Sequence, residues 1–434
     1  MESTHLTWAF ATALLLSLTT KLWLATRQMR HVAQKRGAVP AAFAGTVTLQ
    51  AHQRAADYTL AKGRFGLWAT ALGTAVLLGW TLLGGLDALN TLVRAAVLAH
   101  WGPLAYQLAL LTAVAVIGAV IDMPMEWIST FRIEQRFGFN RMTLPLWLAD
   151  QAKGALVGAL IGLPLAALVL WLMAASGGLW WLWAWVALVA FNLLMLVIYP
   201  TLIAPFFNKF EPLADESLKA RVQALMQRCG FAAKGLFVMD GSRRSAHANA
   251  YFTGLGASKR VVFFDTLLQR LSPGEVEAVL AHELGHFKHK HVLQRMVGIF
   301  GMSLAGLALL GWLAQQSGFY TGLGITPNIL PNMSAPNDAL ALLLFVLALP
   351  SFTFFISPLL AHFSRKHEFQ ADAYACLQAD GRDLAQALLK LHEDNAATLT
   401  PDPLYVRFYY SHPPASERLA ALPAVSPALA PSAV

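Results

Sequence analysis

Charge is what this chain has least of. Of its 434 residues, 13% are Asp, Glu, Lys or Arg, about half the roughly 25% of a soluble domain. An ordinary soluble protein is therefore not expected. Cysteine is nearly missing as well. Cys229 and Cys376 form no Cys-x-x-Cys pair, so neither a disulfide framework nor a thiolate zinc site is implied. What is present instead is apolar: 56% hydrophobic residues, with 13 Trp and 25 Phe and a mean hydropathy of +0.51. The net charge of +8 would suit nucleic acid. It lies in loops beside apolar stretches, however, and no nucleic-acid partner is expected.

A spanning helix needs about 20 mostly apolar residues. Seven stretches meet or approach that length: 7–26, 66–86, 106–125, 155–177, 179–205, 296–316 and 339–361. The first contains Lys21, close enough to a helix end to snorkel. Met1-Glu2-Ser3-Thr4-His5 lacks the positive start of a cleaved signal. Lys and Arg then assign the sides. Arg27, Arg30, Lys35, Arg36, Arg54, Lys62 and Arg64 stand against Asp57 alone after the first span. That loop is expected in the cytoplasm and the N-terminus outside. Alternation makes 126–154, 206–295 and everything after 362 cytoplasmic. The nearly uncharged 87–105, 176–178 and 317–338 fall opposite. Pro164, Pro200, Pro205, Pro350 and Pro358 read either as simple kinks or as bends around a wet interior.

Residues 206–295 do not read as membrane. Leu218, Val222, Leu225, Met226 and Cys229 share one helical face over 215–229, with Gly230 at its end. Residues 235–240 and 259–268 read as strands, with another over 246–256. "LSPGEVEAVLAHELGH" then opens a helix: Ser272 as N-cap, Pro273 at N1, Glu275 completing a capping box. His282 and His286 follow four residues apart, with Glu283 between. That spacing suits two zinc ligands and a general base. Catalytic zinc takes three protein ligands and keeps one position open. His289 shares the face, but lies about 10.5 Å along the axis from His282, too far for one ion with bonds near 2 Å. Glu368 and Asp372, four apart in "FSRKHEFQADAYA", are the better source, with Arg365 near the same face. They read as a ligand and an orienting carboxylate, or equally as the charged end of an amphipathic helix.

The ordered segments "FRIEQRFGFNRMT" (131–143), "YPTLIAPFFNKFEPL" (199–213), "HANAYFTG" (247–254), "HELGH" (282–286), "SRKHEFQAD" (364–372) and "SHPPASER" (411–418) resemble the type I CAAX prenyl proteases, integral-membrane zinc metalloendopeptidases. The likeness covers most of the chain, and a bacterial member in an inner membrane is expected. It implies a mainly α polytopic protein whose seven helices form a water-filled chamber, closed by a cytoplasmic α+β zinc-protease domain. It implies one Zn2+ per chain on His282, His286 and Glu368, with Glu283 as base and His412 as transition-state stabiliser. Asp372 and Arg365 would orient the ligands from behind. Asn249, Ala250 and Tyr251 would lie on an edge strand that takes the substrate backbone. The implied substrate is an isoprenylated Cys-a-a-X peptide losing its last three residues. The expected partners are this lipidated peptide and membrane lipid, with no obligate protein partner.

Five segments are expected: membrane helices in 1–205, the protease insert 206–295, two further spans in 296–362, the part carrying the third ligand in 363–422, and a disordered tail 423–434. Two alternatives stand beside the CAAX activity. One is a zinc protease for membrane-protein quality control. The other is a transporter or scaffold with a structural zinc. The second gives Glu283 no task, and no paired broken helices mark inverted repeats.

Overall fold

A computed structural model describes residues 2–232, 235–253, 260–328 and 335–422. The tail expected to be disordered, 423–434, lies outside the described residues. The architecture is mainly α, with one small mixed sheet.

The membrane helices come first. They are α1 (Ser3–Lys35), α2 (Leu49–Trp80), α3 (Gly85–Glu134), α4 (Leu144–Ala175) and α5 (Gly177–Phe207). Each starts ahead of the apolar stretch that predicted it, because hydropathy marks only the part immersed in lipid, while α2 and α4 end short of theirs, at Trp80 and Ala175. The α3 run bends at Gly102, whose φ of 80° is open to glycine and strained for other residues. Next comes α6 (Glu216–Arg228), capped by the Asp215 carboxylate accepting from Leu218 N. Then follow α7 (Pro273–Lys288), α8 (His291–Leu313), α9 (Asp338–Thr353) and α10 (Ser357–Gln378). Three short helices close the chain: α11 (Gly381–Asp394), α12 (Pro403–Tyr409) and α13 (Ala415–Ala421).

Among the described residues, six helical runs are long and apolar enough to cross a membrane: α1, α3, α4, α5, α8 and the run Asp338–Gln378. The expected span 66–86 falls on α2, which carries Arg54, Asp57, Lys62 and Arg64 in its first half and is not among the six. Packing nevertheless places α2 with the others. Going round, α1, α2, α3, α4, α5, α8 and α9 each touch the next, and α9 returns to α1. Seven helices thus close a ring.

The sheet has the order β1 (Phe210–Pro212), β2 (Gly235–Met239), β4 (Arg260–Phe264), β3 (Ala250–Thr253). The β2–β4 pair is parallel, and β3 runs antiparallel to β4 with Tyr251 opposite Val262. Among the described residues no other strand pairs with β3, which lies at the edge of the sheet. The strand expected through Leu268 stops at Phe264. The Asp265 carboxylate accepts from Ser242 N and Thr266 N and starts a helical turn, Asp265–Leu268. A buried core of Val222, Leu225, Val261, Phe263, Leu280 and Leu284 joins α6, the sheet and α7.

Polar clamps fasten this domain to the ring. Glu134 at the end of α3, which accepts from Tyr58 OH at 2.6 Å within the ring, has its Oε2 3.7 Å from His247 Nε2. His247 stacks on Phe139 at 4.4 Å and meets Asn395 Oδ1 at 3.0 Å. Arg244 bonds both carboxylate oxygens of Asp150, at 2.8 and 3.0 Å. These contacts hold the chain immediately ahead of β3.

Candidate active site

The site is built by two helices in close contact. The first, α7, begins as its sequence dictates. Ser272 Oγ accepts from Glu275 N, Glu275 Oε2 accepts from Ser272 N, and Pro273 occupies the first turn. Orphan donors are thereby satisfied at both ends of the capping box. His282 and His286 lie one turn apart on the face turned toward α10. Gly285 allows the approach. A Cβ there would stand 2.9 Å from Ala371 Cα and 3.0 Å from Ala371 O, inside ordinary carbon contact. The absence of a side chain brings the α7 histidines against Glu368 and Asp372 on α10.

His282, His286 and Glu368 each turn one ligand atom into a group lying within 4.8 Å of one another. His286 Nε2 is 3.3 Å from Glu368 Oε1 and 3.3 Å from His282 Nε2. His282 Nε2 is 3.5 Å from Glu368 Oε2. Glu368 Oε2 is buried with no hydrogen-bond partner among the described residues. A buried, unsatisfied carboxylate oxygen is costly, and a cation at this convergence would satisfy it. Two imidazoles and one carboxylate, with no sulfur ligand, are the donor set of a catalytic zinc rather than a structural one. The residues present therefore fit the metal.

Behind the group, His282 Nδ1 meets Asp372 Oδ1 at 2.7 Å. Arg418, on α13, grips the same carboxylate at 2.6 Å from Nη2 and 2.8 Å from Nε. This bidentate pair is nearly buried, and it fixes the carboxylate that orients the imidazole. Burial by itself would lower the His282 pKa. The Asp372 and Glu368 carboxylates beside the ring outweigh it and raise the metal-free value to about 9. Glu283, beside His282 on α7, has its carboxyl pKa raised, chiefly by burial. His412 Nε2 stands 3.4 Å from Glu368 Oε1, and its Nδ1 pairs with Ser411 Oγ at 2.9 Å.

Not every expected residue meets the group directly. Arg365 points away from Glu368 and Asp372. Its Nη1 donates to the carbonyls of Val406 and Tyr410, bracing the segment that leads to His412. A three-residue spacing on a helix brings two positions near, but the long Arg side chain reaches instead to carbonyls at the end of α12. Ala250 and Tyr251 sit on the edge strand β3, and Asn249 immediately precedes it. His289 caps α7 and stacks on His291 at 5.5 Å, outside the ligand group.

Two neighbours escaped sequence reasoning. Arg418 lies in "SHPPASER", from which only His412 was singled out. His291 Nδ1 meets His286 Nδ1 at 2.9 Å, and its Nε2 meets Gln370 Oε1 at 2.9 Å. The five-residue step from His286 crosses a helix break, where Lys290 has a φ of 58°, so helical periodicity gave no signal for it.

Comparison with known proteins agrees over most of the chain. Residues 28–209 match the family described as CAAX prenyl protease N-terminal, five membrane helices. Residues 212–426 match peptidase family M48. The chain is 32% identical to a CAAX prenyl protease 1 homolog of Arabidopsis thaliana, covering 92% of this chain and 93% of that one. It is 31% identical to CAAX prenyl protease 1 of Saccharomyces cerevisiae, covering 93% and 92%. The crystal structure of S. mikatae Ste24p superposes with a TM-score of 0.89 at 29% identity, covering 96% of this chain and 98% of that one. These three proteins are eukaryotic, so they lend no support to the bacterial source expected from the sequence. With matching membrane and peptidase halves, a His-His-Glu metal group and full-length relatives, the chain is an integral-membrane zinc metalloendopeptidase of family M48 and belongs to the CAAX prenyl protease 1 family.

Proposed function

We propose that the protein cleaves isoprenylated C-terminal Cys-a-a-X peptides after the cysteine and releases the a-a-X tripeptide. The observation that carries this reading is the convergence of His282, His286 and Glu368 beside Glu283, in a chain matched over 92% and 93% of its length by two CAAX prenyl protease 1 relatives.

One zinc ion per chain on His282, His286 and Glu368 would supply Lewis acidity, polarising a carbonyl and lowering the pKa of water toward about 7. Glu283 takes the proton of the attacking water and passes it to the leaving amine. Its raised pKa strengthens it as a base and leaves it able to give the proton up. His412 faces the developing oxyanion. Ser411 Oγ lies 2.9 Å from Nδ1; in the tautomer whose Nδ1 accepts from this hydroxyl, the proton of the neutral ring rests on Nε2, the atom nearest the ligand group. A preorganised donor at that place stabilises charge only as it forms. Asp372, held by Arg418, keeps the His282 Nδ1 proton so that Nε2 is free to bind metal. Arg365 acts at one remove, by bracing the chain before His412. Asn249, Ala250 and Tyr251 present the sheet edge, where an extended peptide would add as a strand.

The charge pattern supports an N-terminus on the outer side, with the zinc domain and C-terminus in the cytoplasm. On this reading 1–205 and 296–362 form the membrane vessel, while 206–295 and 363–422 bring the chemistry to its cytoplasmic mouth. The test uses purified protein in detergent, wild type beside Glu283→Gln. The glutamine variant should keep its zinc and lose release of a-a-X from a farnesylated peptide, followed by mass spectrometry. Cleavage by Glu283→Gln at the wild-type rate would overturn the mechanism. Zinc retained after Glu368→Ala would require another third ligand.

A further inference from the structure

Beside the metal-ligand group, between α8 and α10, lies a cleft of about 610 Å3 that contains none of the ligands. One wall is a single face of α8: Arg295, Gly298, Ile299 and Met302, spaced at i, i+3, i+4 and i+7. The facing wall is Leu360, Phe363, Ser364 and His367 of α10. At the end nearest the zinc group the cleft is polar. Arg295 Nη2 reaches Ser364 Oγ at 3.4 Å, His367 adjoins Glu368 in the chain, and Ser411, also on the rim, holds His412.

Away from the site the lining turns apolar. Ile299, Met302, Leu360 and Phe363 are each about half exposed, at 49%, 46%, 47% and 51%. The gradient follows from chain direction. The helix α8 leaves the site and enters its span, and α10 arrives at the site from the run Asp338–Gln378. From Arg295 to Met302 the helix rises about 10.5 Å. At Gly298 the floor is open, since a Cβ there would meet nothing within 4 Å.

A cleft that is polar at the reacting group and apolar beyond it fits an amphiphile arranged in the same order. We infer that this cleft seats the isoprenyl chain of the substrate cysteine, with the peptide at the Arg295–Ser364 end. The inference rests on the CAAX-protease reading above and adds to it the site of lipid recognition. Gly298 is the selective element, because any side chain there occupies the floor along which the isoprenyl chain runs.

The test is a size series, Gly298→Ala, Gly298→Leu and Gly298→Trp, with Val297→Trp as control. Val297 is 64% exposed and does not line the cleft. Zinc content confirms that each variant is folded, and the smaller substitutions keep the test open if the Trp variant fails that check. For each variant, kcat/KM is measured with a farnesylated Cys-a-a-X peptide and with its unprenylated twin. Wild type and Val297→Trp should prefer the farnesylated peptide. That preference should shrink as side-chain size grows at Gly298, by about tenfold or more for the largest, the scale of discrimination set by a few methylenes in an apolar pocket. A preference unchanged across the series overturns the inference, as does an equal loss in Val297→Trp. Wild type that cuts both peptides equally also overturns it, leaving the cleft to bilayer lipid while the protease reading stands. Zinc-loaded wild type that cuts neither peptide refutes the CAAX reading, and this inference with it.

Discussion

Gly285→Ala tests the helix packing on which the zinc site depends. The added Cβ would lie 2.9 Å from Ala371 Cα and 3.0 Å from Ala371 O, against about 3.5–4.0 Å for an unstrained carbon contact. Both obstacles are backbone atoms, so no rotamer change relieves them. The helices α7 and α10 must separate by roughly 0.5–1 Å. Two effects on global stability then oppose each other. Alanine is favoured over glycine inside a helix by about 1 kcal/mol, and overpacking a filled interface costs about 1–3 kcal/mol. The net loss is on the order of 0–2 kcal/mol, small enough for the variant to be purified folded. The site has no such compensation. His282 and His286 ride on α7 and Glu368 on α10, and a metal constellation must hold to within about 0.5 Å. Zinc affinity should fall about 10–100-fold, the scale on which supporting contacts of metal sites act. Competition against a chromogenic chelator measures that affinity, and thermal unfolding in detergent follows the fold. A variant that unfolds like wild type and binds zinc equally well would show that close packing at Gly285 does not set the ligand geometry.

Asp372→Asn and Arg418→Gln should each weaken zinc binding by about 10–100-fold, and a double variant should lose much less than the product, because Arg418 acts through Asp372; additive losses would separate the two residues. His412→Phe should keep full zinc occupancy and lose about 10²–10³ in kcat with little change in KM; a loss confined to KM would make His412 a binding residue instead. Zinc needs a neutral imidazole, and the metal-free His282 pKa of about 9 means that below this value the ion must displace a proton. Apparent zinc affinity should therefore rise by about tenfold per pH unit through neutrality and flatten above about pH 9. Chelator competition across that range reads the slope, and a flat profile would refute a protonated His282 in the metal-free protein.

Much of this molecule was legible before any coordinates. Low charge and long apolar runs require a membrane protein, because helix length and bilayer thickness are both local matters. The start of α7 follows from Ser272, Pro273 and Glu275, which cap their own helix, and the four-residue step from His282 to His286 then puts both rings on one face. Other assignments waited on contacts between distant parts of the chain. Whether Glu368 belonged to a metal group or to a charged helix end turned on the meeting of α7 and α10. His282 and Asp372 are 90 residues apart, and His282 and Arg418 are 136 apart. No periodicity joins positions so far separated. The aim of Arg365, the partnership of Arg418 with Asp372, and the need for glycine at 285 were decided by packing. In this protein the sequence by itself determined the helices, their affinity for lipid and the chemistry carried on α7. Only the tertiary structure decided which carboxylate faces the histidines, because two helices far apart in sequence can meet there only where one of them has no side chain.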